Sequence, residues 1–164
     1  MTNLNERGFT IIELMVTLAV AAILLSIAVP NFSDMTLGSK LGASANSLVS
    51  GARVARSEAI KRNAVVSLCA SSDGATCSSS ADWEDGWIVL GGGTVVMAEK
   101  AAPSGLRILS EVKLLEFQPS GVGSTQAVLT VCRSTPNPGS QERVVTFSAT
   151  GRASVTKTTT GSCS

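Results

Sequence analysis

GFTIIELMVTLAVAAILLSIAVP, running from Gly8 to Pro30, carries one charge, Glu13, in the 21 residues from Phe9 to Val29. At about 1.5 Å of rise per helical residue, that run reaches roughly 30 Å, the thickness of a bilayer's hydrocarbon core. The chain is therefore expected to begin as a membrane helix. Its polar groups are placed unusually. A secretory signal has a small-residue cleavage site behind its apolar core, and no such site followed by a polar mature start appears after Val29. The small residue, Gly8, stands in front of the core, directly behind Arg7. A carboxylate in hydrocarbon costs about 2.5 to 3.5 kcal/mol on insertion scales, so Glu13 calls for a cationic partner or a function.

Gly8-Phe9-Thr10, Ile12-Glu13-Leu14 and Pro30 together resemble the class III signal of type IV pilins and pseudopilins. That resemblance implies cleavage after Gly8 by prepilin peptidase on the cytoplasmic side, methylation of the new N-terminus at Phe9, and retention of the helix as anchor and filament core. It also implies that Glu13 pairs with a Phe9 amine, its own or a neighbouring subunit's, during assembly. Residues 1–8 are then a leader, 9–30 a transmembrane and filament-core helix, 31–63 an amphipathic helix and 64–164 a sheet domain. The location implied is the inner membrane, single-pass, with the globular domain in the periplasm, followed by entry into an extracellular pilus or a periplasmic pseudopilus.

The totals agree with one domain plus an anchor. A chain of 164 residues leaves enough beyond Asn31 to bury a real core. With 13 Lys and Arg against 12 Asp and Glu, overall charge points to no polyanionic partner. The absence of histidine and tyrosine removes the commonest general base and metal ligand, so neither catalysis, a cofactor nor a metal is expected. Lys40 with Ser44, or Glu58 with Glu99, are the remaining pairs that could be named, and nothing else in the sequence selects them. Four cysteines in a chain exported beyond the cytoplasm suit disulfides. Of three possible pairings, the favoured one joins Cys69 to Cys77 around a Ser-rich loop and Cys132 to Cys163 at the tail; the connectivity stays open here.

Behind Pro30, which is expected to kink the helix or to mark its exit from the membrane, the pattern stays helical. Leu37, Leu41, Ala45, Leu48, Ala52, Ala55 and Ala59 recur at steps of four and three, drawing one apolar stripe to be laid on a sheet. Gly38, Gly42 and Gly51 each weaken a helix by about 1 kcal/mol relative to alanine, which suggests unwinding between Pro30 and Gly42. The helix is expected to end near Asn63. Its last part, ARVARSEAIKR from Ala52 to Arg62, is similar to the FimT and GspH group of minor pilins and pseudopilins. As a bare sequence it reads as a solvated basic face, with Arg56 near Glu58 and with Lys61 and Arg62 at the helix C-terminus.

Strand-like runs follow at 64–70, 88–90, 94–98, 106–109, 112–117, 127–132, 143–148 and 153–156, separated by turn signals at Gly91–Gly93, Pro119–Gly121 and Thr135–Gly139. Gly91–Gly93 between two apolar runs reads as a hairpin. The Trp83-Glu84-Asp85-Gly86-Trp87-Ile88-Val89 arrangement also resembles the FimT and GspH group, and its two tryptophans read as core. The sum is α+β, a long N-terminal helix packed on a C-terminal antiparallel sheet domain, as in the pilin fold.

The tail from Pro119 carries Arg133, Arg143, Arg152 and Lys157 against Glu142. Members of the FimT group that take up DNA carry a G-R-x-R element here. Gly151 and Arg152 match it, Ser154 stands where the second arginine would be, and Lys157 follows, so Arg152 and Lys157 are the candidate phosphate contacts. The resemblance implies major and minor pilins or pseudopilins, prepilin peptidase and the inner membrane as partners. It leaves open DNA as a further partner, the tip position, and whether the machine is a pilus or a type II secretion system.

Overall fold

The computed structural model describes residues 9–135, 141–161 and Cys163. The chain falls into two units, Met1–Leu37 and Gly38–Ser164. Helix α1, Ile11–Arg62, contributes to both. From Leu14 to Val29 it carries no charge, and each large side chain described from Phe9 to Leu25 is more than half exposed. Among the described residues no helix is long and apolar enough to cross a membrane. The described side chains of this segment end at Ser26; Ile11 to Ser26 spans about 24 Å, and the remainder of the run read from the sequence, residues 27–29, lies beyond them.

In the second unit the helix is amphipathic. Leu41, Ala45, Leu48, Ala52, Ala55 and Ala59 are all buried, as is Leu37 at the close of the first unit. Residues 30–42 are helical, so the unwinding expected there does not occur. Two of the three glycines have a packing reason to be small. A Cβ on Gly51 would lie 2.6 Å from the Trp87 ring, and one on Gly38 would lie 3.1 Å from the Gln141 amide oxygen, while Gly42 has open space around it. The helix stops at Arg62 because Asn63 takes a left-handed φ of 50°, a conformation that suits a helix C-terminus.

Among the described residues eight strands follow: β1 (Val66–Ala70), β2 (Trp87–Gly91), β3 (Thr94–Glu99), β4 (Leu106–Leu109), β5 (Leu114–Phe117), β6 (Ala127–Arg133), β7 (Glu142–Phe147) and β8 (Ala153–Thr158). They form two four-stranded sheets, ordered β3-β2-β1-β5 and β4-β6-β7-β8, with every pairing antiparallel. The β2–β3 hairpin turns through Gly92 and Gly93, with φ of 59° and 75°. Positive φ at both loop positions is the primed geometry that matches strand twist, and glycine adopts it at no steric cost.

Burial alternates along β6, where Ala127, Leu129 and Val131 face the core, and Val145 and Phe147 of β7 pair with the first two of them. These residues, with Leu68, Val89, Leu115 and Phe117 of the first sheet, make the core beneath the helix stripe, while Ile88 is buried on the other face of that sheet. Trp87 is buried under Gly51. Trp83 is fully buried in a 3₁₀ turn, Trp83–Asp85, and donates its indole N–H to the Val112 carbonyl at 2.7 Å. Trp83 is thus in a turn and only Trp87 enters a strand; both are core.

Candidate functional site

The N-terminus of α1 is closed by its own side chains. Thr10 donates from its amide and its hydroxyl to Glu13 Oε2, at 3.1 and 3.0 Å, and the Glu13 amide donates back to the Thr10 hydroxyl at 3.3 Å. This is a capping box, in which the residue before the helix and the third residue inside it satisfy each other's donors. The T-x-x-E spacing was readable in the sequence; what it says about Glu13 is that one carboxylate oxygen already has partners within the chain. Phe9 beside it is 81% exposed. Gly8 lies outside the described residues.

At the other end of α1, the charges are arranged differently from the expected Arg56–Glu58 neighbourhood. Glu58 accepts from Lys61 Nζ at 3.2 Å and from Arg62 Nε at 2.8 Å, three and four residues on. The spacing explains the change, because residues three or four apart share a helix face and residues two apart do not. The Arg62 and Lys61 hydrogen bonds hold the Glu58 carboxyl below its usual range. Arg62 also donates to the Gly91 carbonyl at 3.2 Å, tying the helix end to the β2–β3 hairpin.

Two disulfides are present, Cys69–Cys77 and Cys132–Cys163. The first closes a loop organised by Asp73. Asp73 Oδ1 accepts from the Ala75 and Thr76 amides, both at 2.8 Å, and from Ser71 Oγ at 2.9 Å, while Oδ2 accepts from Thr76 Oγ1 at 2.7 Å. The Thr76 and Ala75 amides, then the two hydroxyls, hold this carboxyl far below the ordinary range. Asp82 is also lowered, by the Lys113 ammonium that donates to it at 2.6 Å. Glu84 pairs with Arg107 and accepts from the Ile108 amide at 3.1 Å.

The second disulfide fastens the tail across the outer face of the second sheet. Cys132 and Glu142 both project to that face, and both are fully buried. Glu142 Oε2 accepts from Thr158 Oγ1 at 2.9 Å and from Thr160 Oγ1 at 2.6 Å. Sequence reading counted Glu142 as a surface charge; nothing in its polar neighbourhood signalled that the tail covers it.

Arg152 and Lys157 are not brought together. Arg152 ends the turn before β8, its amide donating to Ser148 Oγ at 3.2 Å, and Lys157 lies five residues on, opposite Arg143. Five strand residues separate them by about 17 Å and place them on opposite faces. No cluster of three or more His, Cys, Asp or Glu that could hold a metal occurs among the described residues.

A family model described as type II transport protein GspH matches residues 44–151, and one described as a prokaryotic N-terminal methylation motif matches residues 3–29. No curated protein matches the chain in sequence. Among solved structures, the type IV minor pilin FimU of Pseudomonas aeruginosa is similar in one crystal form at 22% identity and a TM-score of 0.57, over 72% of this chain and 89% of that one. In a second crystal form of FimU the values are 24%, 0.53, 71% and 92%. The minor pseudopilin EpsH of the Vibrio cholerae type 2 secretion system is similar at 16% identity and a TM-score of 0.50, over 71% and 96%. At such identities the likeness is one of fold. The GspH match covers most of the chain, from Ser44 in the helix through strands β1 to β7, and the methylation motif covers Gly8 to Glu13: the chain belongs to the GspH family of minor pilins and pseudopilins, whose members are structural subunits and not enzymes.

Proposed function

We propose that the chain is a minor subunit of a type IV pilus. It is cut after Gly8 by prepilin peptidase, methylated at Phe9, held in the inner membrane by the following helix with the sheets in the periplasm, and then incorporated at or near the filament tip. There it primes assembly or supports twitching motility, adhesion or DNA uptake. The observation that carries this reading is the apolar helix of the first unit, exposed on every face and headed by a methylation motif. Such a helix is stable in lipid and equally stable among other helices of its kind, which is what a subunit moving from membrane to filament requires. The likeness to FimU, a type IV minor pilin, supports the choice of machine.

Glu13 supplies the register. A helix sliding into a bundle of others has no other charge in its apolar length, so pairing with a Phe9 amine rewards one axial position only. Glu13→Ala therefore leaves the chain in the membrane and reduces its recovery with sheared filaments by at least ten-fold. Equal recovery of variant and parent would sink the reading.

A second reading has its own support. The matching family model is described by a type II transport protein, and EpsH shares the fold. A pseudopilus would use the same anchor chemistry. Deleting the chain separates the two: loss of twitching with secretion intact supports the pilus, and the reverse supports the secretion machine.

A further inference from the structure

Among the described residues the two sheets end on four edge strands, β3 and β5 in the first sheet and β4 and β8 in the second. An edge is a row of unpaired amides and carbonyls that another chain can join, and three of these four are closed. In β3, Val89 pairs with Met97 and the next residue, Leu90, pairs with Val95, so Val96 is left over as a bulge. A bulge bends an edge away from a straight partner. Against β5 the chain lays its own residues: Phe117 bridges Gly123, and the Ser124 amide donates to the Glu116 carbonyl at 2.9 Å. On β4 the Ile108 amide donates to Glu84 Oε2 at 3.1 Å, and Glu84 also pairs with Arg107.

β8 carries no such device. It pairs with β7 through six consecutive residues without a shift, and it contains neither proline nor glycine. Among the described residues its backbone makes no hydrogen bond beyond that ladder. The tail behind it turns the other way, toward Glu142 on β7 and Cys132 on β6, and leaves the edge clear. Ser154 to Lys157 are exposed, those facing either side of the sheet alike. The strand has one charge, Lys157, whose direct neighbour on β7 is a second cation, Arg143, and which makes no ion pair among the described residues.

We infer that β8 is the docking edge for an extended segment of a different protein chain, added antiparallel as a further strand of the second sheet, with an acid beside Lys157 and an apolar residue beside Val155. Main-chain hydrogen bonds supply the attraction in such an addition, and alternate side chains select the segment. Directly opposed side chains favour unlike charges and disfavour like ones. That decides the occupant: from Ser148 to Gly161 this chain has no Asp or Glu, so β8 of a second copy brings no acid to Lys157. The inference goes beyond the proposed function, concerns the sheets alone, and is the same for a pilus and for a pseudopilus.

The test uses the full chain in detergent micelles and the heptapeptide Thr-Glu-Thr-Val-Thr-Ala-Thr, which, set antiparallel to β8, places its Glu beside Lys157 and its Val beside Val155. Amide hydrogen exchange, resolved to single residues, is the readout. At about ten times its Kd the peptide should slow exchange of the outward amides of β8 about ten-fold and leave β3 unchanged. Changing the peptide's Glu to Lys should weaken binding about two- to five-fold, and Lys157→Glu in the chain should reverse that preference. A peptide methylated on its backbone nitrogens keeps its side chains, loses the ladder, and should protect nothing. Absence of protection at about 1 mM, the effective concentration that a linked neighbour supplies, overturns the inference. So do equal binding of the Glu and Lys peptides to the parent chain, and protection by the methylated peptide. Protection of β8 without peptide, rising with the concentration of the chain itself, places a second copy on this edge and overturns it as well.

Discussion

Gly51 and Gly42 cost the helix the same backbone entropy and differ in what surrounds them. A methyl group on Gly51 meets the Trp87 ring at 2.6 Å, whereas one on Gly42 meets nothing within 4 Å. The ring is buried and cannot swing away. Gly51→Ala is expected to cost about 1 to 3 kcal/mol of overpacking, only partly offset by about 1 kcal/mol of recovered helix propensity. Gly42→Ala has only the recovery and should raise stability by up to about 1 kcal/mol. Paired urea titrations of the two variants check both signs. At this scale the sequence was legible where a residue acts by type and period and opaque where it acts through a distant neighbour. The stripe from Leu37 to Ala59 was visible as spacing, and all of it is buried. That Gly51 is small because a tryptophan 36 residues later lies over it was not visible, nor was the burial of Glu142 by a hydroxyl 18 residues away.

Among the elements, the Cys69–Cys77 loop and the tail draw their order from polar contacts, and these respond to pH and to reduction. Asp73 has a carboxyl pKa depressed in the folded chain, so its contribution is fully present above its unfolded value near 3.8 and is lost as pH falls toward the lower folded value. Glu58 and Asp82 are shifted the same way and act with the same sign. The melting temperature should therefore be level from neutral pH to about pH 5 and fall progressively below that, with a shallower fall in Asp73→Asn. An equal acid slope in parent and variant would show that the loop carboxylate contributes nothing. In the tail, the Cys132–Cys163 bond closes 31 residues of sequence. Cys163→Ser should cost about 3 to 4 kcal/mol on the loop-entropy relation, and should make the segment beyond Thr158 the first site of limited proteolysis. Strand positions were legible from alternation and turn residues to within two residues at most ends. The division into two sheets was not, because antiparallel runs of similar composition do not announce their partners; register and sheet order are settled by packing against one shared helix.

For the molecule as a whole, family membership rests on the second unit and the proposed activity on the first. The GspH match covers residues 44–151, which hold α1 from Ser44 on and strands β1 to β7, and the large side chains described from Phe9 to Leu25 are more than half exposed. The anchor motif was legible because it is local: Gly8, Phe9 and Glu13 fall within six consecutive residues. The Arg152 and Lys157 pair was not, because two cations near in sequence are separated by strand geometry.

The Thr10–Glu13 box bears on the chemistry of joining. Glu13 is no bare anion awaiting a counter-ion; one of its oxygens is occupied by two donors from Thr10. On the proposed pairing, a neighbour's amine would meet a carboxylate whose Oε2 already accepts from Thr10 and whose Oε1 would receive the amine, so the cap and the pair could coexist. Under that proposal the Thr10 donors hold the carboxylate in one orientation, so an amine arriving out of position would find Oε1 aimed elsewhere. Thr10→Val, which keeps the shape and removes the hydroxyl, should let misplaced amines compete, and the signature would be faster incorporation with more defects, counted as breaks per length in sheared filaments.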